Sequence, residues 1–181
     1  MALLAEELVE EWLNRTGFFT IRGIKEGVGE IDLLAVRPTS APAVEGWHVE
    51  VQVGFRPLTY MTNLTPRLAK RLNKARGSAY KRDSEMLDEC VSAWIGKKFD
   101  DPRKLKRRES LWPGVEWKRA FVHGVFRFPE ELRLIESKGV RLILLSTVLA
   151  ELGNKGSTSF AAAGGDLAEL VGFYARRAED G

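Results

Sequence analysis

The fold of this chain is decided by Gly29-Glu30-Ile31-Asp32-Leu33-Leu34-Ala35-Val36 and, after a Pro-rich turn, by Trp47-His48-Val49-Glu50-Val51-Gln52-Val53-Gly54. Successive side chains of a β-strand face opposite ways. The valines of the second segment therefore share one face, and His48, Glu50 and Gln52 share the other. In the first segment the acidic residues also fall on one face. The pattern predicts two strands that each bury one apolar face and carry acids on the opposite one.

Acidic residues on two buried strands need a chemical reason. If the strands pair at the usual spacing of about 4.8 Å, the carboxylates of Asp32 and Glu50 converge on one point. Two converging carboxylates suit a divalent cation such as Mg²⁺ or Mn²⁺. The carbonyl of Val51 lies in the same strand and is the expected third ligand. An acid that merely faces solvent on a half-exposed sheet is the alternative.

The composition favours one globular domain. The chain has 181 residues and 44% of them are hydrophobic, which is enough for one sizeable core. Its apolar runs are far shorter than a membrane span, and no secretory pattern follows the first residues, so we expect a cytoplasmic protein without membrane contact. One cysteine and two histidines disfavour disulfides and zinc sites. Any bound metal is expected to be held by oxygen.

The basic residues concentrate in the middle of the chain. Between Arg67 and Arg108 there are 14 Lys or Arg and 6 Asp or Glu, whereas the rest of the chain has 14 and 19. A basic segment beside an acidic site favours a polyanion such as nucleic acid. A solvated helical surface is the alternative interpretation.

The periodicity predicts the order of the elements. Residues 2–14 form an amphipathic helix, three strands follow, and a basic helical region begins near Pro66. A buried stripe from residue 86 to 95 predicts the next helix, ending at Lys97 and Lys98, and the charged run 100–108 is expected to be an exposed connection. Strand, helix, strand and helix complete residues 117–152. A linker and a final helix starting near Asp166 are expected within residues 154–181.

Several cations are expected to contact a phosphate backbone. Four of them stand three or four apart on one predicted helical face, two end the central helix and one follows the third strand. They are Arg67, Lys70, Arg71 and Lys74, then Lys97 and Lys98, then Arg56. On the first helix, Glu6 is the acid best placed to face the sheet, although a lone acid in a first turn more often interacts with the helix dipole. His48 is interpreted as a hydrogen-bonded structural residue.

Three features together resemble one nuclease family. Glu6 on the first helix, Gly29-Glu30-Ile31-Asp32 at a strand and Glu50-Val51-Gln52 in the next strand are similar to the pattern of the PD-(D/E)xK nuclease superfamily. The resemblance implies a restriction-endonuclease-like α/β fold with an αβββαβ core and a mixed sheet flanked by helices, covering about residues 1–153 with a basic helical insertion at 62–112. It also implies Mg²⁺-dependent hydrolysis of DNA phosphodiesters. Asp32 and Glu50 would be metal ligands and Glu6 a supporting acid.

The sequence departs from the family at Gln52, where a lysine is usual. Glutamine keeps hydrogen-bonding ability and loses the cation. Lys97 or Lys98 is the candidate replacement. The departure keeps two other functions open, a non-catalytic nucleic-acid-binding or subunit protein of the same fold and an interaction protein that assembles through its C-terminal helix. RNA as the substrate, and a homodimer or a partner protein, also stay open.

Overall fold

The computed structural model describes residues 2–27, 29–40, 43–54 and 59–154. Within these residues the chain forms five strands and six helices. In chain order they are α1 (Ala2–Arg15), β1 (Phe19–Glu26), β2 (Gly29–Pro38), β3 (Val44–Gln52), α2 (Pro66–Leu72), α3 (Ser84–Lys98), α4 (Pro102–Leu111), β4 (Trp117–His123), α5 (Pro129–Ser137), β5 (Val140–Leu144) and α6 (Leu145–Asn154). The linker and helix expected within 154–181 lie outside the described residues, apart from the end of α6.

The five strands form one mixed sheet in the order β1-β2-β3-β4-β5. The first three strands are a meander, since β1 pairs antiparallel with β2 and β2 with β3. The β3–β4 and β4–β5 pairs are parallel, which requires the helical crossovers supplied by α2–α4 and by α5. The predicted α/β class, with a mixed sheet flanked by helices, is confirmed.

Both faces of the sheet are covered by helices. Odd-numbered residues of β3, including Val49 and Val51, join the core beneath α1 and α6. On the opposite face, Phe121 of β4 packs with Ile95 of α3 and Ile135 of α5. The alternation predicted for β3 is confirmed, but its polar face is as deeply buried as its apolar face, because His48 and Glu50 are fully shielded from solvent.

The expectation of an exposed connection at residues 100–108 holds only in part, because the segment forms helix α4 with one exposed side and one buried side. Asp101 caps α4 by accepting a hydrogen bond from the backbone N–H of Arg103, and Pro102 occupies the first turn. Lys104 and Arg108 stand one turn apart on α4, and both are buried against the polar face of β3. A segment expected in solvent is therefore the cover of the acidic strand.

No helix within the described residues is long and apolar enough to cross a membrane. The basic insertion predicted at 62–112 contains α2, α3 and α4 and connects β3 to β4. These helices bring the basic part of the sequence to the end of the sheet where β2 and β3 carry their acids.

Candidate metal and nucleic-acid site

The site lies where β2 and β3 separate. Their antiparallel pairing runs from Pro38 opposite Val44 to Leu33 opposite Val49, and Asp32 and Glu50 follow immediately. The backbone N–H of Val51 donates a 2.8 Å hydrogen bond to Oδ2 of Asp32. The N–H and C=O of one strand residue point to the same neighbouring strand. The carbonyl of Val51 is therefore directed to the side on which the Asp32 carboxylate lies.

Glu50 is held by partners on both carboxylate oxygens. Oε1 lies 3.1 Å from Nε2 of His48 and 2.6 Å from Nζ of Lys104, and Oε2 lies 2.5 Å from Nζ of Lys98. Burial acts to raise the pKa of Glu50, but the hydrogen bond from His48 and the two ammonium charges outweigh it and lower the pKa to about 2. Glu50 is therefore ionised at neutral pH despite complete burial.

The tautomer of His48 follows from its second partner. Nη1 of Arg108 lies 3.0 Å from Nδ1 of His48. A guanidinium only donates hydrogen bonds, so Nδ1 accepts and the proton lies on Nε2, which donates to Glu50. Burial lowers the pKa of His48 and keeps the ring neutral. His48 thus has the structural role expected from the sequence, as the middle of a chain of hydrogen bonds from Arg108 to Glu50.

Ionisation of the neighbouring acids Asp32 and Glu6 is unfavourable. Burial and the charge of Glu50 raise the pKa of Asp32 to about 7, against the opposing effects of Lys98 and the Val51 hydrogen bond. Burial and the charge of Glu30 raise the pKa of Glu6, and the charge of Glu50 acts in the same direction. Glu6 of α1 therefore lies within electrostatic range of Glu30 and Glu50. Because these acids disfavour one another's ionisation, a nearby cation would stabilise their charged forms.

The donor set fits Mg²⁺ or Mn²⁺. Among the residues with a described position, no three His, Cys, Asp or Glu side chains are grouped as a metal site. Mg²⁺ needs fewer, because it keeps several waters and is commonly bound through one or two carboxylates together with substrate phosphates. Asp32, Glu50 and the carbonyl of Val51 supply hard oxygen donors of that kind. The chain's residues are compatible with the cation predicted from the sequence.

A cleft of about 330 Å³ opens beside Asp32, and its walls carry both signs of charge. Its lining residues are Gly29, Glu30, Asp32, Lys97, Lys98, Asp101, Arg103 and Lys104. Lys98 at the end of α3 combines a contact to Glu50 with a partly exposed side chain, whereas the side chain of Lys104 is only 6% exposed. Nζ of Lys104 also donates to the carbonyl of Lys98 at 2.8 Å. Lys104 is an anchored counter-charge, whereas Lys98 contacts Glu50 and stays partly exposed to the cleft.

Two further residues of the predicted site, Gln52 and Lys97, border a second cleft. Gln52 is half-buried and lines this cleft, which shares Lys97 and Lys98 with the first. Lys97 is exposed between the two clefts. Lys104 and Arg108 belong to the basic run 97–108, but the sequence did not single them out as partners of Glu50 and His48. Their four-residue spacing after a Pro-initiated turn was the available signal, because that spacing places both on one helical face.

The predicted basic face at residues 67–74 needs correction. Helix α2 ends at Leu72 with Asn73 in the left-handed conformation, so Lys74 lies beyond the helix and does not extend its face. Lys70 and Arg71 are exposed in the last turn. Arg67 is exposed and forms an ion pair with Glu89 of α3. Arg56 lies outside the described residues.

Comparisons with known proteins include a distant structural likeness. The chain matches no protein-family model and no curated protein. A solved structure entitled "Protein of Unknown Function AF1548" aligns with 84% of this chain and 67% of its own, at 13% identity and a TM-score of 0.47. A similarity this remote says nothing about activity, so function has to be argued from the residues of the site.

Proposed function

We propose that this protein is a divalent-metal-dependent nuclease that hydrolyses DNA phosphodiester bonds. The observation that carries the proposal is the Lys98 ammonium held 2.5 Å from Glu50, beside Asp32, at the divergence of two strands. A nuclease of this kind needs carboxylates for a cation and a separate cation for the phosphate. At Gln52 the sequence lacks the lysine that the resemblance implies for contact with the phosphate. Lys98 supports the view that α3 supplies this positive charge.

The residues divide the work of the reaction as follows. Asp32, Glu50 and the Val51 carbonyl would hold Mg²⁺ or Mn²⁺, with Glu6 as a supporting acid. When bound, the cation supplies Lewis acidity to the scissile phosphate and to the attacking water. The ammonium of Lys98 has three donors, one of which is directed to Glu50, so the others can hydrogen-bond to the phosphate oxygens. Gln52 offers a neutral amide on the same face of β3.

The basic segment would position the DNA strand. Lys97, Lys98 and Arg103 line the cleft that contains Asp32, and Lys70 and Arg71 are exposed on α2. Phosphate contacts of this kind fix the register of the nucleic acid and carry no sequence information by themselves. A cytoplasmic location and RNA as an alternative substrate stay predictions that accompany this function.

The second candidate function is a non-catalytic nucleic-acid-binding or subunit protein of the same fold. Gln52 is the observation in its favour, because the usual lysine is absent from that position of the strand. Assembly through the predicted C-terminal helix concerns residues outside the described part of the chain. The two functions differ in whether DNA is cleaved when the cation is present.

The test is a cleavage assay with Mg²⁺ or Mn²⁺ on labelled single-stranded and duplex DNA and on the same strand as RNA. We expect cleavage by the wild type and a loss of at least about 100-fold in Asp32→Asn, because an amide keeps the size and the Val51 hydrogen bond but lacks the charge. Asp88→Asn, at an exposed residue of α3, is the matched control. Cleavage by folded Asp32→Asn at the wild-type rate would refute the proposal.

A further inference from the structure

A second cleft of about 320 Å³ adjoins the candidate catalytic cleft. The two share Lys97 and Lys98, so Lys98 stands between them. Gln52 lines the second cleft two residues beyond Glu50 on the same face of β3, which corresponds to about 7 Å along the strand. A group beside Gln52 is therefore about one nucleotide spacing from Glu50 and from its partner Lys98.

One wall of this cleft is a loop that a buried ion pair fixes in place. Glu131 of α5 is fully buried and accepts hydrogen bonds from the backbone N–H groups of Met61 and Thr62, at 2.6 and 2.9 Å. Arg82 donates to the Thr62 carbonyl at 2.7 Å and lies 3.7 Å from Glu131. A buried ion pair adds little net free energy of folding, because both charges lose their water. Its effect here is to hold the irregular loop in one conformation. The wall of the cleft is pre-organised.

The groups on the walls suit a nucleotide. Gln52 and Asn63 provide amides that can pair with the edge of a base, and Arg76 and Lys97 provide cations. Trp94 packs edge-to-face with Phe99 and Phe121, and the rest of its half-buried side chain borders the cleft. Tyr60 borders the cleft but has no free ring face for stacking on a base. Phe128 stacks on its ring at 4.6 Å, and the Arg82 guanidinium lies over the ring at 4.1 Å. Both faces of the Tyr60 ring are therefore occupied.

The size of the cleft restricts the form of the ligand. About 320 Å³ is at the lower end of the range for pockets that enclose a small molecule, which suits one nucleotide. A base inside a duplex is stacked and paired, and it enters such a pocket only after leaving the helix. The dimensions therefore favour a strand that is already unpaired next to the scissile phosphate.

We propose, building on the nuclease function above, that the second cleft binds the nucleotide adjacent to the scissile phosphate, and that the substrate is DNA unpaired at that nucleotide. The shared position of Lys98 couples the two clefts, because the same ammonium contacts Glu50 and borders the nucleotide site. Asn63 and Gln52 read the base, and Arg76 and Lys97 lie along its backbone.

The cleavage test compares one labelled sequence as a single strand, as a duplex with one unpaired nucleotide and as a perfect duplex. We expect the first two to be cut at least about tenfold faster than the perfect duplex, because only the perfect duplex has to open a base pair before cleavage. Equal cleavage of all three forms would overturn the inference while leaving the nuclease function standing. If none of the forms is cut, the nuclease function fails and binding alone decides the inference.

The binding test uses Ala93→Trp, which places a large side chain at an exposed position of α3 that lines the cleft. Ser92→Trp, at the neighbouring exposed position, is the matched control. With a fluorescent single-stranded oligonucleotide in EDTA at low salt, we expect Ala93→Trp to weaken binding about tenfold and Ser92→Trp to leave it unchanged, which is the range for the loss of one base contact. Equal affinities of wild type and Ala93→Trp would overturn the inference.

Discussion

The two oxygens of Glu50 have different environments, and this difference separates anchoring from chemistry. Oε1 is held by His48 and Lys104, whose side chains are almost completely buried. Oε2 is held by Lys98, which lines both clefts. A carboxylate fixed by one oxygen can offer the other to a ligand without losing its orientation. Loss of Lys98 and loss of Lys104 should therefore have different consequences.

Replacing Lys98 by alanine should reduce the cleavage rate more than it affects folding. The account assigns to Lys98 the charge that stabilises the phosphate during reaction, and removal of one such donor typically lowers kcat by about 10²–10³-fold. The measurement is kcat under saturating metal and DNA. Lys138→Ala is the control, because Lys138 follows α5 and forms an ion pair with Asp88. A Lys98→Ala enzyme with unchanged kcat would remove Lys98 from the mechanism.

Asp32 should make the metal-free protein less stable as the pH rises. Its pKa is about 7 in the folded chain against 3.8 for the isolated group, so between these values the folded state binds more protons than the unfolded state. The free energy of unfolding therefore falls as the pH rises from about 4 to about 7. Urea unfolding in EDTA should show a steeper fall for the wild type than for Asp32→Asn. Parallel pH profiles of the two proteins would contradict the assignment.

Helix α4 orients the side chain of Glu50 on strand β3. Arg108 fixes the tautomer of His48, and His48 then donates to Glu50. Outer partners of this kind commonly alter metal affinity by about 10–100-fold when removed. The helix contributes to the site through hydrogen bonds and charge, and only Lys104 of the buried pair reaches Glu50 directly.

Replacing His48 should weaken metal activation in a graded way. His48→Leu removes the donor to Glu50, and we expect the Mg²⁺ concentration for half-maximal cleavage to rise about 10–100-fold. His48→Gln places an amide N–H near the position of Nε2 and should recover part of the loss. Titration of activity with Mg²⁺ measures both variants. Identical metal dependence of His48→Leu and wild type would show that the ring only fills space.

Helix α5 stabilises the loop of the second cleft through Glu131. Glu131→Gln leaves Arg82 buried without a counter-charge, so we expect a loss of about 3–5 kcal/mol in the free energy of unfolding. Glu130→Gln, at the exposed neighbouring residue, should change it by less than about 0.5 kcal/mol. Urea unfolding gives both values. A Glu131→Gln protein as stable as the wild type would show that the pair does not hold the loop.

The elements that the sequence predicted correctly are those determined by local periodicity. Alternation along β3 separates Val49 from Glu50 because each strand residue faces opposite to its neighbour. Helix α4 was missed because its density of charge is typical of a solvated connection. The burial of Lys104 depends on Glu50, which is 54 positions away in the chain, and no local pattern encodes that pairing. The same limit applies to Lys98, which sequence reasoning offered only as one of two candidates.

For the whole molecule, the fold brings an acidic half and a basic segment together. The meander β1–β3 carries Asp32 and Glu50, and the insertion between β3 and β4 carries Lys98 and Lys104. The parallel pairing of β3 with β4 requires this crossover, so the sheet topology itself places a helical segment over the acids. The charge asymmetry visible in the sequence becomes a site with an acidic end and a basic end.

The binding of a divalent cation between Asp32 and Glu50 tests this account most directly. Crystals soaked in Mn²⁺ and measured near the manganese absorption edge locate the ion independently of activity. We expect one anomalous peak bounded by the Asp32 and Glu50 carboxylates and the Val51 carbonyl, and no peak there in Asp32→Asn. Wild-type crystals without a peak at saturating Mn²⁺, or an equal peak in Asp32→Asn, would contradict it.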